Sequence, residues 1–143
     1  MTALVEPAEA PAGPGAYLLA LRLEAPLALA IAHLGSPTLG PGTYLYAGSA
    51  RGPGGIRARV ARHARAKKRP HWHIDRLTMA ARLLGVAGFP DRAECALIAR
   101  LRSHPGVSVP VAGFGASDCR RCPAHLLRLA AGIDLAALLA ILG

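Results

Sequence analysis

Two short segments that combine tyrosine with glycine constrain the fold most, because both fall in strand-like runs. Gly15-Ala16-Tyr17 opens an almost continuous apolar run over residues 16–23, which is short enough for a buried strand. Tyr46-Ala47-Gly48 closes a β-prone, aromatic run over residues 43–47. The sequence therefore predicts two neighbouring strands that each carry a tyrosine.

A third strand is predicted between these two. Residues 27–34 form a second apolar run, and Glu24-Ala25-Pro26 suits a turn before it. Glycines and prolines then mark a loop up to Gly42. Three consecutive strands with short connections favour an antiparallel meander.

The hydrophobic period changes after Gly55. The sequence predicts a basic helix with Ile56 and Val60 on its apolar face, and a second helix after Pro70. The core positions of that second helix are Ile74, Leu77, Ala81 and Leu84. Further helices are predicted over residues 91–104 and 126–142, the last one kinked near Gly132. The expected fold class is α+β, a small, mostly antiparallel three-stranded sheet flanked by helices.

The length of 143 residues suits one domain, and 52% apolar against 17% charged residues argues against a disordered chain. Residues 1–14 are rich in proline and alanine and are predicted to be a flexible leader. Residues 15–143 are predicted to form a single domain with a C-terminal helical extension.

The charge of the chain indicates a polyanionic partner. A formal net charge of +9 favours nucleic acid, since a basic surface attracts it. No apolar run reaches the roughly 18 to 20 residues of a membrane span. The N-terminus carries Glu6 and Glu9 rather than a basic signal-peptide region, so we expect a cytoplasmic protein without a membrane partner.

Four residues on the predicted strands and basic helix are candidates for chemistry. Tyr17 and Tyr46 would bring two phenols to one end of the sheet, although strand tyrosines usually serve packing. Arg59 and His63 are four residues apart and project from one side of a helix. Arginine can hold a phosphate with two donors, and histidine can relay a proton. The alternative for this pair is a solvated basic face.

Glu94 has two possible roles. Asp91 and Glu94 have the spacing of a capping box at a helix N-terminus. Glu94 also begins the row continued by Ile98 and Leu101, which places a carboxylate at the edge of a buried stripe. A cation would explain a carboxylate there better than solvent does, because burying an uncompensated charge is costly.

The cysteines raise the question of zinc. Cys95 lies in an apolar helical pattern and is interpreted as a small core residue. Cys119-x-x-Cys122-x-x-His125 has suggestive spacing, but three ligands are one short of a structural tetrahedron. A histidine from elsewhere would have to complete it; the candidates are His71, His73 and His104. We favour a reduced pair of cysteines and keep zinc at Cys119, Cys122 and His125 as the alternative.

The order of these motifs resembles the GIY-YIG nuclease family, most strongly from residue 15 to about 98. Several longer phrases, among them Tyr44-Leu45-Tyr46-Ala47-Gly48-Ser49-Ala50 and His71-Trp72-His73-Ile74-Asp75, are similar to a stand-alone, poorly characterised subgroup of it. The resemblance implies the family's small three-stranded sheet. It also implies the roles of the site residues: Tyr17 and Tyr46 as motif tyrosines, Arg59 as catalytic arginine, His63 as its helical neighbour and Glu94 as the metal-binding carboxylate.

The chain departs from the family pattern in three ways. Alanine replaces isoleucine in both tyrosine motifs, and the spacer between them is long. The sequence contains no asparagine, so the late asparagine of many members is absent or replaced by Ser117 or Asp118.

The expected function is that of an endonuclease that hydrolyses DNA with one Mg²⁺ or Mn²⁺ ion, in DNA repair or processing. The alternative is a catalytically inactive nucleic-acid-binding domain of the same fold. A homodimer or a protein partner is expected because the chain lacks a separate DNA-targeting domain.

Overall fold

A computed structural model describes residues 2–116 and 121–143 and has the α+β class expected from the sequence. In chain order the strands and α-helices are β1 (Gly15–Leu23), β2 (Leu27–Ala28), β3 (Thr38–Leu39), β4 (Gly42–Ala50), α1 (Gly55–Ala64), α2 (His73–Thr78), β5 (Arg82–Phe89), α3 (Glu94–Arg102), β6 (Val107–Ser108), β7 (Leu126–Leu129) and α4 (Leu135–Ala140).

The main sheet is larger than the predicted three strands. It has five strands in the order β5-β1-β4-β7-β6, and every neighbouring pair is antiparallel. The two tyrosine-bearing strands are adjacent, with Tyr17 opposite Gly48 and Leu19 opposite Tyr46. The prediction of these two strands is therefore confirmed, whereas the sheet around them is wider than expected.

The apolar run over residues 27–34 does not form the long second strand that was predicted. Only Leu27–Ala28 is a strand, and it pairs with β3 in a separate two-stranded sheet. Both edges of β1 are already taken by β4 and β5, so the run has no edge there to join. Leu29 and Ile31 are still buried, but through irregular backbone.

Part of each of two predicted helices forms a strand instead. The helix predicted after Pro70 ends at Thr78, and Leu84, one of its predicted core positions, lies in β5, which pairs with β1. Glycine suits this strand because Cβ atoms at Gly85 and Gly88 would lie 2.8 Å from Leu4 Cβ and 2.5 Å from Pro11 Cδ. Residues 126–129 likewise form β7 on the open edge of β4, and only the shorter α4 follows. In both places the segment pairs with the free edge of a neighbouring strand instead of forming the helix that its local sequence pattern favours.

Helix α3 begins three residues later than predicted. Its N-cap is Ala93, and no side chain caps it. Asp91 is exposed and lies outside the helix, so the predicted capping box of Asp91 and Glu94 does not form. This removes the structural alternative for Glu94, which is the first residue of α3.

Strand β1 is buried on both of its faces, which explains its nearly continuous apolar sequence. One face, with Tyr17, Leu19 and Leu21, packs in a core shared with α1 and α2. The other face, with Leu18 and Ala20, packs in a second core shared with α3 and α4. Helices thus cover the sheet on both sides.

The segment predicted as a leader lies against the domain. Val5 and Val86 exchange two backbone hydrogen bonds of 2.8 and 2.9 Å, and Ala10 is buried. The backbone N–H of Ile56, at the start of α1, donates to Gly13 O at 2.9 Å. Among the described residues, no helix has both the length and the apolar character needed to cross a membrane.

A buried carboxylate joins α1 to α2. Asp75 accepts hydrogen bonds from both terminal nitrogens of Arg62, at 2.8 and 3.0 Å, and from the backbone N–H groups of His71 and Trp72. Burial alone would raise the pKa of Asp75, but these donors outweigh it and hold that pKa well below its ordinary value. The carboxylate therefore stays charged while buried.

We predict that Asp75→Asn destabilises the fold by about 3 to 5 kcal/mol, because it leaves Arg62 without its buried counter-ion. The folded-state pKa of this carboxyl lies below its unfolded-state value. Its stabilising effect is thus fully present above about pH 4 and is lost as the pH falls towards the folded-state pKa. Urea unfolding at pH 7 and at pH 3 measures both effects.

The matched control for this prediction is Asp91→Asn, which changes an exposed carboxylate. We expect a change within about 0.5 kcal/mol there. Equal effects of the two substitutions would contradict a special role for the buried carboxylate.

Candidate active site

The five predicted site residues line one open pocket of about 340 Å³. They come from three parts of the fold: Tyr17 and Tyr46 from the central strands, Arg59 and His63 from α1, and Glu94 from the first turn of α3. The other lining residues are Gly48, Ser49, His71, Trp72, His73, Gly115 and His125.

The two tyrosines lie on the same face of the sheet, with ring centroids 6.5 Å apart. Tyr17 crosses over Gly48 on the neighbouring strand, where a Cβ atom would lie 2.3 Å from the Tyr17 phenol oxygen. A side chain at position 48 would therefore displace the ring. Glycine in the second motif thus makes room for tyrosine in the first.

Tyr17 and His63 form a buried hydrogen bond of 2.7 Å between the phenol oxygen and Nε2. Nδ1 of His63 has no hydrogen-bond partner within the described part of the chain, and Oδ1 of Asp75 lies 3.9 Å from it. A negative charge at that distance favours the proton on Nδ1. We infer that Nε2 is the acceptor and that the Tyr17 hydroxyl donates to it.

Burial keeps the phenols of Tyr17 and Tyr46 and the imidazole of His63 neutral. It raises the pKa of the Tyr17 phenol far above its ordinary value and raises the pKa of Tyr46 to about 12. Burial, assisted by the nearby charge of Lys68, lowers the pKa of His63 to about 3. The positive charge of Arg59 lowers the pKa of both phenols and so partly offsets the effect of burial. A bound cation would act in the same direction as Arg59.

Arg59 is half-buried and held in place at the pocket. Its Nη1 donates to Ser49 O at 3.1 Å, and its guanidinium carbon lies 4.5 Å from the ring centroid of Trp72. Arg62 also lies over this ring, at 4.4 Å. Trp72 thus supports two guanidinium groups, one directed to the pocket and one paired with Asp75.

Glu94 contributes the carboxylate of the pocket. It is half-buried, and within residues 2–116 and 121–143 its carboxylate accepts no hydrogen bond and joins no ion pair. A carboxylate oxygen is a ligand that Mg²⁺ and Mn²⁺ prefer. The side chain present therefore fits a hard divalent cation.

Sequence reasoning did not assign His73, Gly115 and His125 to this pocket. Nδ1 of His73 accepts a hydrogen bond of 2.9 Å from the backbone N–H of Gly115. His71 and His73 had been considered as zinc ligands and line the pocket instead. Nδ1 of His104 accepts a hydrogen bond from Gly106 N, in the turn after α3. No spacing in the sequence linked these residues to the tyrosines.

A second group of possible metal ligands lies beside the pocket. One ligand atom from each of Cys95, Cys122 and His125 lies within 4.8 Å of the others, so these residues could bind a metal ion. Cys95 is half-buried and belongs to this group, which corrects its interpretation as a simple core residue. Cys119 lies outside the described residues, as do Ser117 and Asp118, the two candidates for the missing asparagine.

Comparison with known proteins gives a family and no close relative. No curated protein and no solved structure matches the chain. The family model described as "Domain of unknown function DUF123" matches residues 16–141, which span both central strands, the pocket and the cysteine group. The chain therefore belongs to the DUF123 family.

Proposed function

We propose that this protein is a metal-dependent endonuclease that hydrolyses DNA phosphodiester bonds, in DNA repair or processing. The observation that carries the proposal is the pocket itself. It brings together a guanidinium at Arg59, a hydrogen-bonded phenol and imidazole at Tyr17 and His63, and the carboxylate of Glu94. The GIY-YIG-like order of these residues in the sequence supports the same chemistry.

Positive charge around the pocket supports DNA as the substrate. Exposed basic side chains follow the C-terminal end of α1 at Arg65, Lys67 and Arg69. Lys68 has a different role, because its Nζ donates to the carbonyl oxygens of Arg62 and His63 and so caps the helix. These exposed residues lie between α1 and the pocket residue His71 in the chain and would contact DNA phosphates next to the scissile bond.

In the proposed mechanism Arg59 binds the scissile phosphate. Its hydrogen bond to Ser49 O uses one nitrogen, which leaves donors on the other nitrogens for a phosphate oxygen. The ring of Trp72 holds the guanidinium plane in place. Donors fixed before the reaction stabilise the charge that develops on phosphorus oxygens without reorganising during the step. Tyr46 would support the phosphate from the same side.

Tyr17 would accept the proton of the attacking water. Because its own hydroxyl hydrogen points to Nε2 of His63, the phenol oxygen has lone pairs available to a water in the pocket. As the water loses its proton to Tyr17, the phenol proton moves to Nε2. The imidazolium formed would be stabilised by the Asp75 carboxylate, 3.9 Å from Nδ1.

Glu94 would hold the divalent cation. When bound there, Mg²⁺ or Mn²⁺ supplies charge that stabilises the leaving oxygen and lowers the pKa of nearby proton donors. One carboxylate with waters is a weak ligand set, so the cation would exchange with solvent and its concentration would set the rate.

The first prediction from the proposed function concerns the arginine that binds the phosphate and the carboxylate that binds the cation. Arg59→Ala should lower the rate of Mg²⁺-dependent nicking by about 10²- to 10³-fold, because a preorganised donor is lost. Glu94→Gln should abolish the dependence on Mg²⁺ concentration along with the activity. The measurement is nicking of plain, branched and abasic duplexes across a Mg²⁺ and Mn²⁺ titration.

Exposed residues of the same types provide controls. Arg102→Ala and Glu24→Gln change exposed side chains that do not line the pocket, and both should keep the wild-type rate. Salt-sensitive DNA binding without any metal-dependent cutting would favour the inactive binding domain instead. Wild-type rates in both pocket variants would remove these residues from the mechanism.

The second prediction concerns the proton relay. Tyr17→Phe should lower the nicking rate by about 10²- to 10⁴-fold at unchanged DNA affinity, because it removes the group that accepts the water proton. The wild-type rate should stay nearly constant from about pH 6 to 9, since the pKa of His63 lies below that range, at about 3, and the pKa of the Tyr17 phenol lies above it. Single-turnover rates against pH provide the measurement.

Tyr44→Phe is the matched control for the relay. Tyr44 is equally buried on β4, and its hydroxyl donates to Gly40 O outside the pocket. We expect a wild-type rate and pH profile from this variant. Equal rate losses in the two variants would point to packing rather than chemistry.

The third prediction concerns the room that Gly48 gives to Tyr17. Gly48→Ala should lower the rate by about 10²-fold, because the added methyl group must push the phenol away from its reactive position. Gly52→Ala adds the same atom at a position where no other atom lies within 4 Å, and it should leave the rate unchanged. Full activity of Gly48→Ala would show that the position of Tyr17 does not matter.

A further inference from the structure

We propose that Cys95, Cys122 and His125 hold a zinc ion that fixes the first turn of α3 beside the pocket. This site is separate from the exchangeable cation proposed at Glu94. It concerns the architecture of the protein, and it stands whether or not the pocket cuts DNA.

The distances between the ligand atoms fit one tetrahedral ion. Sγ of Cys95 lies 3.8 Å from Nε2 of His125, and all three ligand atoms lie within 4.8 Å of one another. Tetrahedral zinc with Zn–S of about 2.3 Å and Zn–N of about 2.0 to 2.1 Å places sulfur and nitrogen about 3.6 Å apart, and two sulfurs about 3.8 Å apart. Small side-chain movements would close the site.

The donor chemistry selects the ion. Two cysteine sulfurs and an imidazole suit Zn²⁺, whereas Mg²⁺ and Mn²⁺ prefer the oxygen ligand that Glu94 offers. The two sites would therefore bind different metal ions, although Glu94 and Cys95 are adjacent in the chain. These three ligands leave the fourth tetrahedral position open to water.

The backbone around His125 holds this ligand in place before any metal binds. His125 N–H donates to Phe114 O at 2.8 Å, and Ala47 N–H donates to His125 O at 3.0 Å. The whole residue is only 6% exposed. His125 is thus anchored between β4 and residue 114, at the start of β7. A ligand that is already ordered loses little entropy on binding a metal.

A metal at this site would connect the first turn of α3 to the segment that precedes β7. Cys95 is the second residue of α3, next to Glu94, whereas Cys122 and His125 immediately precede β7. The N-cap residue of α3, Ala93, makes no side-chain capping hydrogen bond. The zinc ion would supply this link and so position the Glu94 carboxylate.

The test is metal analysis of the full chain purified under reducing conditions without chelators. We expect about one equivalent of zinc per chain, and less than about a tenth of an equivalent after Cys95→Ser or Cys122→Ser. Glu94→Gln, a change at the adjacent residue, should keep the full zinc content. Less than about a tenth of an equivalent in the folded wild-type protein would overturn the proposal, as would unchanged content in both serine variants.

Cobalt gives a readout that does not depend on variants that fold. Wild-type protein loaded with Co²⁺ should show the intense near-ultraviolet band of thiolate coordination and the visible bands of a tetrahedral ion. Spectra of an octahedral, oxygen-bound ion would contradict the assignment.

Zinc content and nicking are measured independently, so the two proposals can fail separately. Protein that binds zinc and does not cut DNA would support the zinc site and contradict the proposed endonuclease activity. Protein that cuts DNA and contains no zinc would support the endonuclease activity and contradict the zinc site.

Discussion

The structure depends on the burial of β1, in which every residue except Arg22 is buried. This strand is paired along both edges and covered on both faces, so every other element is arranged around it. A polar group on the buried part of such a strand cannot reach solvent and must find a partner inside the protein. Tyr17 is such a group, and His63 is its partner.

The hydrogen bond between Tyr17 and His63 is the first of a series of contacts between neighbouring side chains. His63 faces Asp75 on its other side, Asp75 holds Arg62, and Arg62 lies over the ring of Trp72. The same ring supports Arg59 in the pocket. The groups proposed for chemistry are thus continuous with the groups that stabilise the packing of α1 against α2. We therefore expect the effects of substitutions at the two ends of this network to be non-additive, because their side chains share interaction partners.

The residues that sequence reasoning placed correctly share a local signal. Tyrosine beside glycine in an apolar run indicated the two central strands, and the spacing of four between Arg59 and His63 indicated one helix face. Glu94 was expected at the edge of a buried stripe, and it lines the pocket. The helical period that ended at Leu84 and the one over residues 126–129 were misleading, since Leu84 lies in β5 and residues 126–129 form β7, and both strands pair with strands distant in sequence. The sequence of a segment does not show which distant strand it will pair with.

The sequence by itself determined the α+β class, the two tyrosine-bearing strands, the basic helix and the list of side chains suited to phosphate chemistry. Local patterns suffice for these features, because burial and helical spacing act within a few residues. The tertiary structure decided the width of the sheet, the pairing of Tyr17 with His63 and the approach of Cys95 to Cys122 and His125. These contacts join residues 27 to 46 positions apart, between which the chain reverses direction, and only the packing of the whole molecule fixes such distances.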